Sequence, residues 1–439
     1  MILPVTWRNP FAQKDARFMP TEPVQRDLRI DFFKGVALLI VLIDHIEGWA
    51  ERSVIETWTL INLGFSDAAE IFIFLSGYVF AVAYSRVLDR EGFGTCLRKA
   101  LKRSWQIYLA YLLAAMTVIA IGACTLAWRP PAFENRFLIG EFPGASIFAS
   151  LLLCFHPWGF DILAMYVPVL PLMAVLLYLL RGGPFNALLA WLISAGFYLA
   201  VQANPSLNLP RFGDGGVWYF NPFAWQFLFF LGLVVGNPAR VPRKWAPRWL
   251  LIGLSIAMLA CGLMVLKGFE YLVRWGVWSW DDLWPLVEFY RAWAIKTELG
   301  PLRLLHFFAL AYLVSQVFPR SLSMGSRRWA NPLIVAGQHS LEVYAFGLVL
   351  SFLGVFFLQR GPAASRWGVV LVDLAACGGS LGFAYGVAWW QRRRNLRRNT
   401  AASNGQPPAG RLGRAPGRRR SQLAVPRSER RRSKTSKPR

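Results

Sequence analysis

Cysteine, charge and recognisable nucleotide or metal motifs are what this sequence has least of, and each shortage narrows the field. Five cysteines (Cys96, Cys124, Cys154, Cys261 and Cys377) form an odd set with no CxxC spacing, and most lie in or beside apolar runs, so neither a disulfide framework nor a zinc site is indicated. No metal-ligating cluster stands out. No GxxxxGK(S/T) phosphate loop, HExxH pair or GxSxG elbow is present, which removes the simplest support for ATP-driven transport and zinc hydrolysis. The first 28 residues lack an apolar core followed by a small-residue cleavage site, so the first span is expected to insert uncleaved. Only 16% of the 439 residues are charged, against 55% hydrophobic and 15% aromatic, a balance that soluble domains rarely show.

What is there instead is a series of apolar runs, most of them long enough at 1.5 Å per residue to cross a hydrocarbon core of roughly 30 Å. They fall near 32–50, 66–85, 104–127, 163–180, 185–202, 218–236, 249–267, 301–318, 332–358 and 366–390. The expectation is an all-α polytopic integral membrane protein of about ten transmembrane helices. A further apolar stretch, Ala145 to Phe155, is too short to cross and reads as re-entrant or interfacial.

Charge then orients the spans. Arg86 to Arg103, Arg181, Arg240 to Arg248, Arg320 to Arg328 and the C-terminal tail fall on one side, which the positive-inside rule makes cytoplasmic, with both termini. The opposite loops carry Asp214, Asp281, Asp282, Glu288 and a Trp-rich stretch (Trp275, Trp278, Trp280, Trp284) that suits the outer interface or a polysaccharide surface. Three regions follow: a cytoplasmic segment 1–28, a membrane domain 29–390 and a basic tail 391–439. The tail holds 17 Lys and Arg against the single Glu429, a net +16 of the whole chain's +24. Poor in apolar residues, it reads as disordered, with anionic lipid as its expected partner and no nucleic acid expected.

Ionisable and polar groups inside spans are expensive and mark pathways or sites. By helix rise, His45 lies about 20 Å from the cytoplasmic face, while Glu70, His306 and Gln226 lie about 6, 8 and 12 Å from the outer face. Four spans thus bring polar side chains to one level in the outer half. A histidine held by a carboxylate can take a proton from an alcohol, because its ordinary pKa of about 6.5 lies close to working pH. Glu70 is the expected partner, since Asp44 points about 100° away from His45 on the same helix. His339, about 10 Å from the inner face, sits at another level. On the cytoplasmic side, Arg26, Arg29 and Lys34 surround Asp31, and Arg98, Lys99, Lys102 and Arg103 precede the third span. This cluster reads either as positive-inside charge or as a phosphate site at a membrane mouth. Gly77, midway along the second span, permits close approach of a helix or a ligand.

The runs RIDFFKGVALLIVLIDH (Arg29 to His45) and GFSDAAEIFIFLSGYVFA (Gly64 to Ala81) resemble the OpgC family, membrane acyltransferases that succinylate osmoregulated periplasmic glucans, within the wider acyltransferase-3 group. HPWGFDIL (His156 to Leu163), NLP (Asn208 to Pro210), WYFNPFAWQ (Trp218 to Gln226), LRLLHFFALA (Leu302 to Ala311) and GQHSLEVY (Gly337 to Tyr344) extend the resemblance over Arg26 to Trp390. It implies a bacterial inner-membrane enzyme with no bound cofactor, acyl-CoA (succinyl-CoA) as cytoplasmic donor and a periplasmic glucan hydroxyl as acceptor. The family histidine maps onto His45 and the N-terminal arginine onto Arg29. Two departures stand out: Lys34 where the wider group often has Arg, and Arg98-Lys99-Ala100-Leu101-Lys102-Arg103 where it has an arginine-rich motif. Lysine keeps the charge and loses the bidentate fork.

The expected assignment is His45 and Glu70 as catalytic, His306, Gln226 and Asn221 on the acceptor side or at the oxyanion, and Arg29, Arg98 and Arg103 at the acyl-CoA. O-acetylation of another surface polysaccharide is the neighbouring alternative. A proton-coupled exporter using the same buried groups as a relay is the alternative from another class.

Overall fold

The computed structural model describes residues 26–48, 54–125, 143–157, 159–212, 216–237, 247–319, 325, 327–359 and 365–404. Among them the regular elements are helices, and the only strand-like pairing is an isolated antiparallel bridge between Pro210 and Val217. In chain order these are α1 (Leu28–Glu47), α2 (Ala68–Cys124), α3 (Pro143–Leu151), α4 (Asp161–Arg181), α5 (Pro184–Ala203), α6 (Pro222–Gly236), α7 (Arg248–Arg274), α8 (Trp280–Trp293), α9 (Pro301–Val317), α10 (Asn331–Gln338), α11 (Ser340–Leu358) and α12 (Arg366–Asn404). The N-terminal residues to 25, parts of the basic loops 240–248 and 320–328, Asp214 and the tail beyond 404 lie outside the described residues.

Each of the ten apolar runs lies largely within helix, with two differences of connectivity. The runs near 66–85 and 104–127 belong to one 57-residue helix, α2, bent at Gly92, which takes φ +79°. Glycine occupies that backbone region without a Cβ penalty, so the chain turns there without a loop. The run 332–358, expected as one span, breaks at His339 into α10 and α11. Among the described residues, six helices are long and apolar enough to cross a membrane: α2, α4, α5, α7, α11 and α12. α6 and α9 are shorter, with 15 and 17 residues. α1 has 20 residues but carries Arg29, Asp31, Lys34, Asp44 and Glu47. α3, the stretch read as too short to cross, has nine residues.

α2 is the hub, packing on α4, α6, α1 and α11, while α1 also lies against α10 and α11, and α7 against α9. The α2–α6 crossing depends on missing side chains. A Cβ on Gly77 would strike the backbone carbonyl of Phe229, and one on Gly232 would strike that of Phe74. Of the two uses open to Gly77, the structure shows helix packing, the small-residue contact common between membrane helices. α4 carries Pro168 and Pro171, so the carbonyl of Val167 has no N–H four residues ahead. The Ser104 hydroxyl of α2 donates to it at 2.5 Å, which repairs the defect and ties the two helices together.

One compact unit ends at Trp390, and Gln391 to Arg439 forms a second. The tail expectation needs correction at its start: 391–404 continue α12 as helix. The sequence there, Gln-Arg-Arg-Arg-Asn-Leu-Arg-Arg, is rich in straight-chain residues that lose little rotamer freedom in a helix.

Candidate functional site

Polar residues gather at the end of the bundle where α1 finishes and α2 begins. Asp67 caps α2: its carboxylate accepts from the Ala69 N–H at 2.9 Å, while Glu70 reaches back to accept from the Asp67 N–H at 2.8 Å. This reciprocal pair is a capping box. Arg303, one turn into α9, then donates through Nε to Glu70 at 2.7 Å and through Nη2 to Asp67 at 2.9 Å. Lys296, from the loop before α9, meets the same Asp67 oxygen at 2.7 Å and lies over the rings of Tyr219 and Phe220. Burial works against the Lys296 ammonium, but the Asp67 carboxylate outweighs it and holds the group above the ordinary lysine range. Two acids and two bases therefore compensate one another in a buried network, which ties the start of α2 to α9.

That network changes the role of Glu70. Both its oxygens are engaged, one by Arg303 and one by the Asp67 N–H, which makes Glu70 a partner of Arg303. Depth alone placed Glu70 beside His45, but depth does not fix the direction in which a side chain points around its helix. Asp44 accepts from the Thr59 hydroxyl at 2.6 Å. Glu47, at the end of α1, accepts from the N–H groups of Val54, Ile55 and Glu56, which folds that loop back onto the helix.

His45 itself, partly buried, lies against Gly159, in the loop leading into α4. Gly159 has φ +86°, and a Cβ there would come within 2.9 Å of His45 Cε1. Two conditions thus require glycine at this point: the left-handed backbone and the close approach of the imidazole. Lys296, Asp161 and Asp67 are the charged groups whose fields reach His45. Asp161, the first residue of α4, also faces His156 Nδ1 at 3.4 Å, and His156 Nε2 hydrogen-bonds the Leu153 carbonyl at 2.9 Å.

The remaining expected outer-side residues are held elsewhere. His306 Nδ1 pairs with the Ser66 hydroxyl at 2.8 Å, and its ring fills space that Gly64 and Gly262 leave open. Gln226 accepts from the Ser194 hydroxyl at 2.8 Å and donates to the carbonyls of Ser194 and Phe223, joining α5 to α6. Asn221 caps α6 by accepting from Phe223 N–H and donates to the Leu207 carbonyl. Gln226 and Asn221, both expected on the acceptor side or at the oxyanion, thus have their polar groups taken up by a neighbouring helix and a helix cap. A polar side chain at the right depth can be claimed by a neighbouring helix, and sequence gives no sign of that.

At the other end of α1 the basic cluster is mostly neutralised. Arg26 forks onto Asp31 at 2.6 and 2.8 Å, and Arg29 forks onto Asp27 while also donating to the Phe318 carbonyl. Arg98 is exposed, and neighbouring Lys99 pairs with Glu91 at 2.7 Å. Lys34 stands apart. It is buried, with its ammonium 5.2 Å from the centre of the Phe72 ring and no carboxylate at ion-pair distance among the described residues. Arg103, whose Nη1 makes one long bond of 3.3 Å to Gln106, faces the same cavity of about 180 Å³. Ser340 and Leu341, the first residues of α11, line it too, so the break at His339 brings a helix N-terminus and its partial positive charge to the cavity. Two cations and a helix start make it suited to an anion.

The cavity lies between α2, α4 and α6, and Phe72, Phe80, Tyr84, Tyr166, Phe229 and Tyr344 are among its lining residues. Tyr344 is also a wall of a second cavity of about 10 Å³ that contains His45, Val41, Leu348, Ser351 and Ser380. Sequence reasoning missed Tyr344, Arg303 and Lys296. Arg303 was visible as a charge inside an apolar run, three residues before His306.

α8 buries Leu283 and Val287 against Phe269 and leaves Trp280, Trp284 and Trp293 about half exposed, with Trp275 and Trp278 just before it. The Trp284 indole donates to Glu288 at 2.8 Å and Arg291 lies 5.6 Å from its ring.

A family model described as OpgC protein matches residues 26–392. No curated protein matches the chain.

Proposed function

The chain belongs to the OpgC family of membrane acyltransferases, and from that premise we propose that it moves a succinyl group from cytoplasmic succinyl-CoA to hydroxyls of a periplasmic glucan. In this reading it sits in the bacterial inner membrane with about ten crossings and both termini cytoplasmic. The basic tail lies against anionic lipid. The Lys34 end of α1 then faces the cytoplasm and the His45 end faces the periplasm.

One observation carries the reading: Tyr344 lines both the cavity of Lys34 and Arg103 and the cavity of His45, so the two cavities adjoin at that residue. Lys34 and His45 are eleven residues apart on α1, about 16 Å by helix rise. An extended pantetheine arm reaches about 20 Å. The diphosphate of the donor would rest at Lys34, Arg103 and the start of α11, with Arg29 and Arg98 supplying general positive charge, while the arm passes between aromatic walls. The thioester then lies at His45 without the nucleotide leaving the cytoplasm.

His45 takes the proton of the sugar hydroxyl as its oxygen attacks the thioester carbon. The tetrahedral intermediate collapses, the C–S bond breaks, and the thiolate takes the proton back from the imidazolium, giving ester and free coenzyme A. The Asp67–Glu70–Arg303–Lys296 network holds the outer ends of α2 and α9, with His306 and Ser66 beside it. The exposed tryptophans of α8 fit sugar rings by stacking.

Acetyl transfer is the second reading, and a specific feature favours it: the His45 cavity has no lysine or arginine among its described lining residues to meet the free carboxylate of succinyl. Purified protein supplied with either donor and a neutral glucan separates the two. Succinyl transfer adds negative charge to the glycan and shifts its anion-exchange elution; an acetylated, uncharged product would overturn the succinyl assignment.

A further inference from the structure

With Gln226 committed to Ser194 and Asn221 to its helix cap, the oxyanion of the transfer reaction needs another donor. The His45 cavity contains one. At about 10 Å³ it has room for one water-sized oxygen. Its wall is apolar except for His45, Tyr344, Ser351 and Ser380, and the Ser351 hydroxyl is turned back to the Gly347 carbonyl at 2.9 Å.

Tyr344 is buried, and its ring is stacked on Phe72 with centroids 5.4 Å apart and planes at 18°. Its hydroxyl donates to the Gly159 carbonyl at 3.1 Å. Gly159 is the residue that packs on the imidazole, so the hydroxyl ends beside the base. Because Tyr344 also lines the cavity of Lys34 and Arg103, a thioester passing from there to His45 passes Tyr344.

We propose that the Tyr344 hydroxyl donates a hydrogen bond to the thioester carbonyl oxygen during transfer, exchanging the Gly159 carbonyl for it, so that Tyr344 is a catalytic residue. The assignment rests on the acyl-transfer reading with His45 as base. As the acceptor oxygen bonds to the thioester carbon, the carbonyl π electrons move onto oxygen and the hydrogen bond donated by the phenol to that oxygen strengthens with its charge. The phenol keeps its proton throughout, and the proton lost by the acceptor passes through His45 to the leaving thiolate. A donor held on a fixed ring costs little reorganisation, and a bond to an oxyanion is stronger than one to an amide carbonyl.

Tyr344→Phe keeps the ring on Phe72 and removes only the donor. The expected result is a fall in kcat of about 10²-fold, an acyl-CoA KM that stays in place, and a proportional fall in acceptor-free hydrolysis of acyl-CoA. Unchanged kcat overturns the assignment. So does a rise in acceptor-free hydrolysis, which would make Tyr344 a barrier between the cavities. Fluorotyrosine at 344 keeps the bond to Gly159 and tests the same point should the phenylalanine variant not accumulate: kcat must follow phenol acidity, and a kcat indifferent to it contradicts the proposal. Wild-type protein that consumes no acyl-CoA overturns the acyl-transfer reading itself, whereas a fully active Tyr344→Phe overturns this assignment alone.

Discussion

His45 and Glu70, on the adjoining helices α1 and α2, meet different partners. The sequence shows that both are polar groups inside apolar runs at similar depth, but which neighbour claims each one depends on helix rotation. Glu70 faces Arg303, and His45 faces Gly159. The two residues should therefore fail in different ways. Replacing His45 with alanine removes the base, and acyl transfer should fall by about 10²- to 10⁴-fold with membrane levels unchanged; full activity at normal levels would refute its role. Glu70→Ala breaks a buried ion-pair network, a change that typically costs about 3–5 kcal/mol, and should lower the unfolding temperature of the detergent-solubilised protein. A Glu70 variant that unfolds like the parent yet loses activity would put Glu70 back at the histidine. Arg303 could have been read as its partner from the sequence, because an arginine within an apolar run has to be compensated.

Helices were legible from hydrophobic runs, but the joints between them were not. Gly92 lies in a polar stretch that looked like a loop, and α2 passes through it with one bend. His339 interrupts what read as a single span, and the break supplies the N-terminus of α11 to the cavity of Lys34 and Arg103. Periodicity finds apolar length; it does not show where a backbone changes direction inside it. Close approach of helices was half legible, since glycine in a span announces proximity without naming the neighbour. Gly77 and Gly232 answer one another across α2 and α6. Gly232→Val should destabilise the detergent-solubilised protein by about 1–3 kcal/mol through overpacking. Gly253→Ala, with open space around the added carbon, should leave its unfolding temperature within error. Equal behaviour of the two variants would mean that the α2–α6 contact is looser than described.

Across the whole molecule, α1 links two cavities, with Lys34 in its first half at one and His45 near its end at the other. The sequence placed the basic cluster correctly at its start but did not tell which cations were spent: Arg26 and Arg29 are paired with Asp31 and Asp27, which leaves Lys34 and Arg103 at the cavity. Lys34→Glu should raise the KM for acyl-CoA by more than about tenfold, equivalent to roughly 1.4 kcal/mol, with little change in kcat at saturation, as measured by coenzyme A release. A loss of kcat without a change in KM would place Lys34 outside the donor site. The central claim is that an acyl group crosses while its nucleotide stays behind. Sealed proteoliposomes test it directly, with glucan inside and succinyl-CoA outside, labelled separately in the acyl group and in the nucleotide. For molecules whose Lys34 end faces outward, the acyl label should appear on the enclosed glucan and the nucleotide label should remain outside. Nucleotide label inside the vesicles, or intact protein that leaves the glucan unlabelled, would contradict the account.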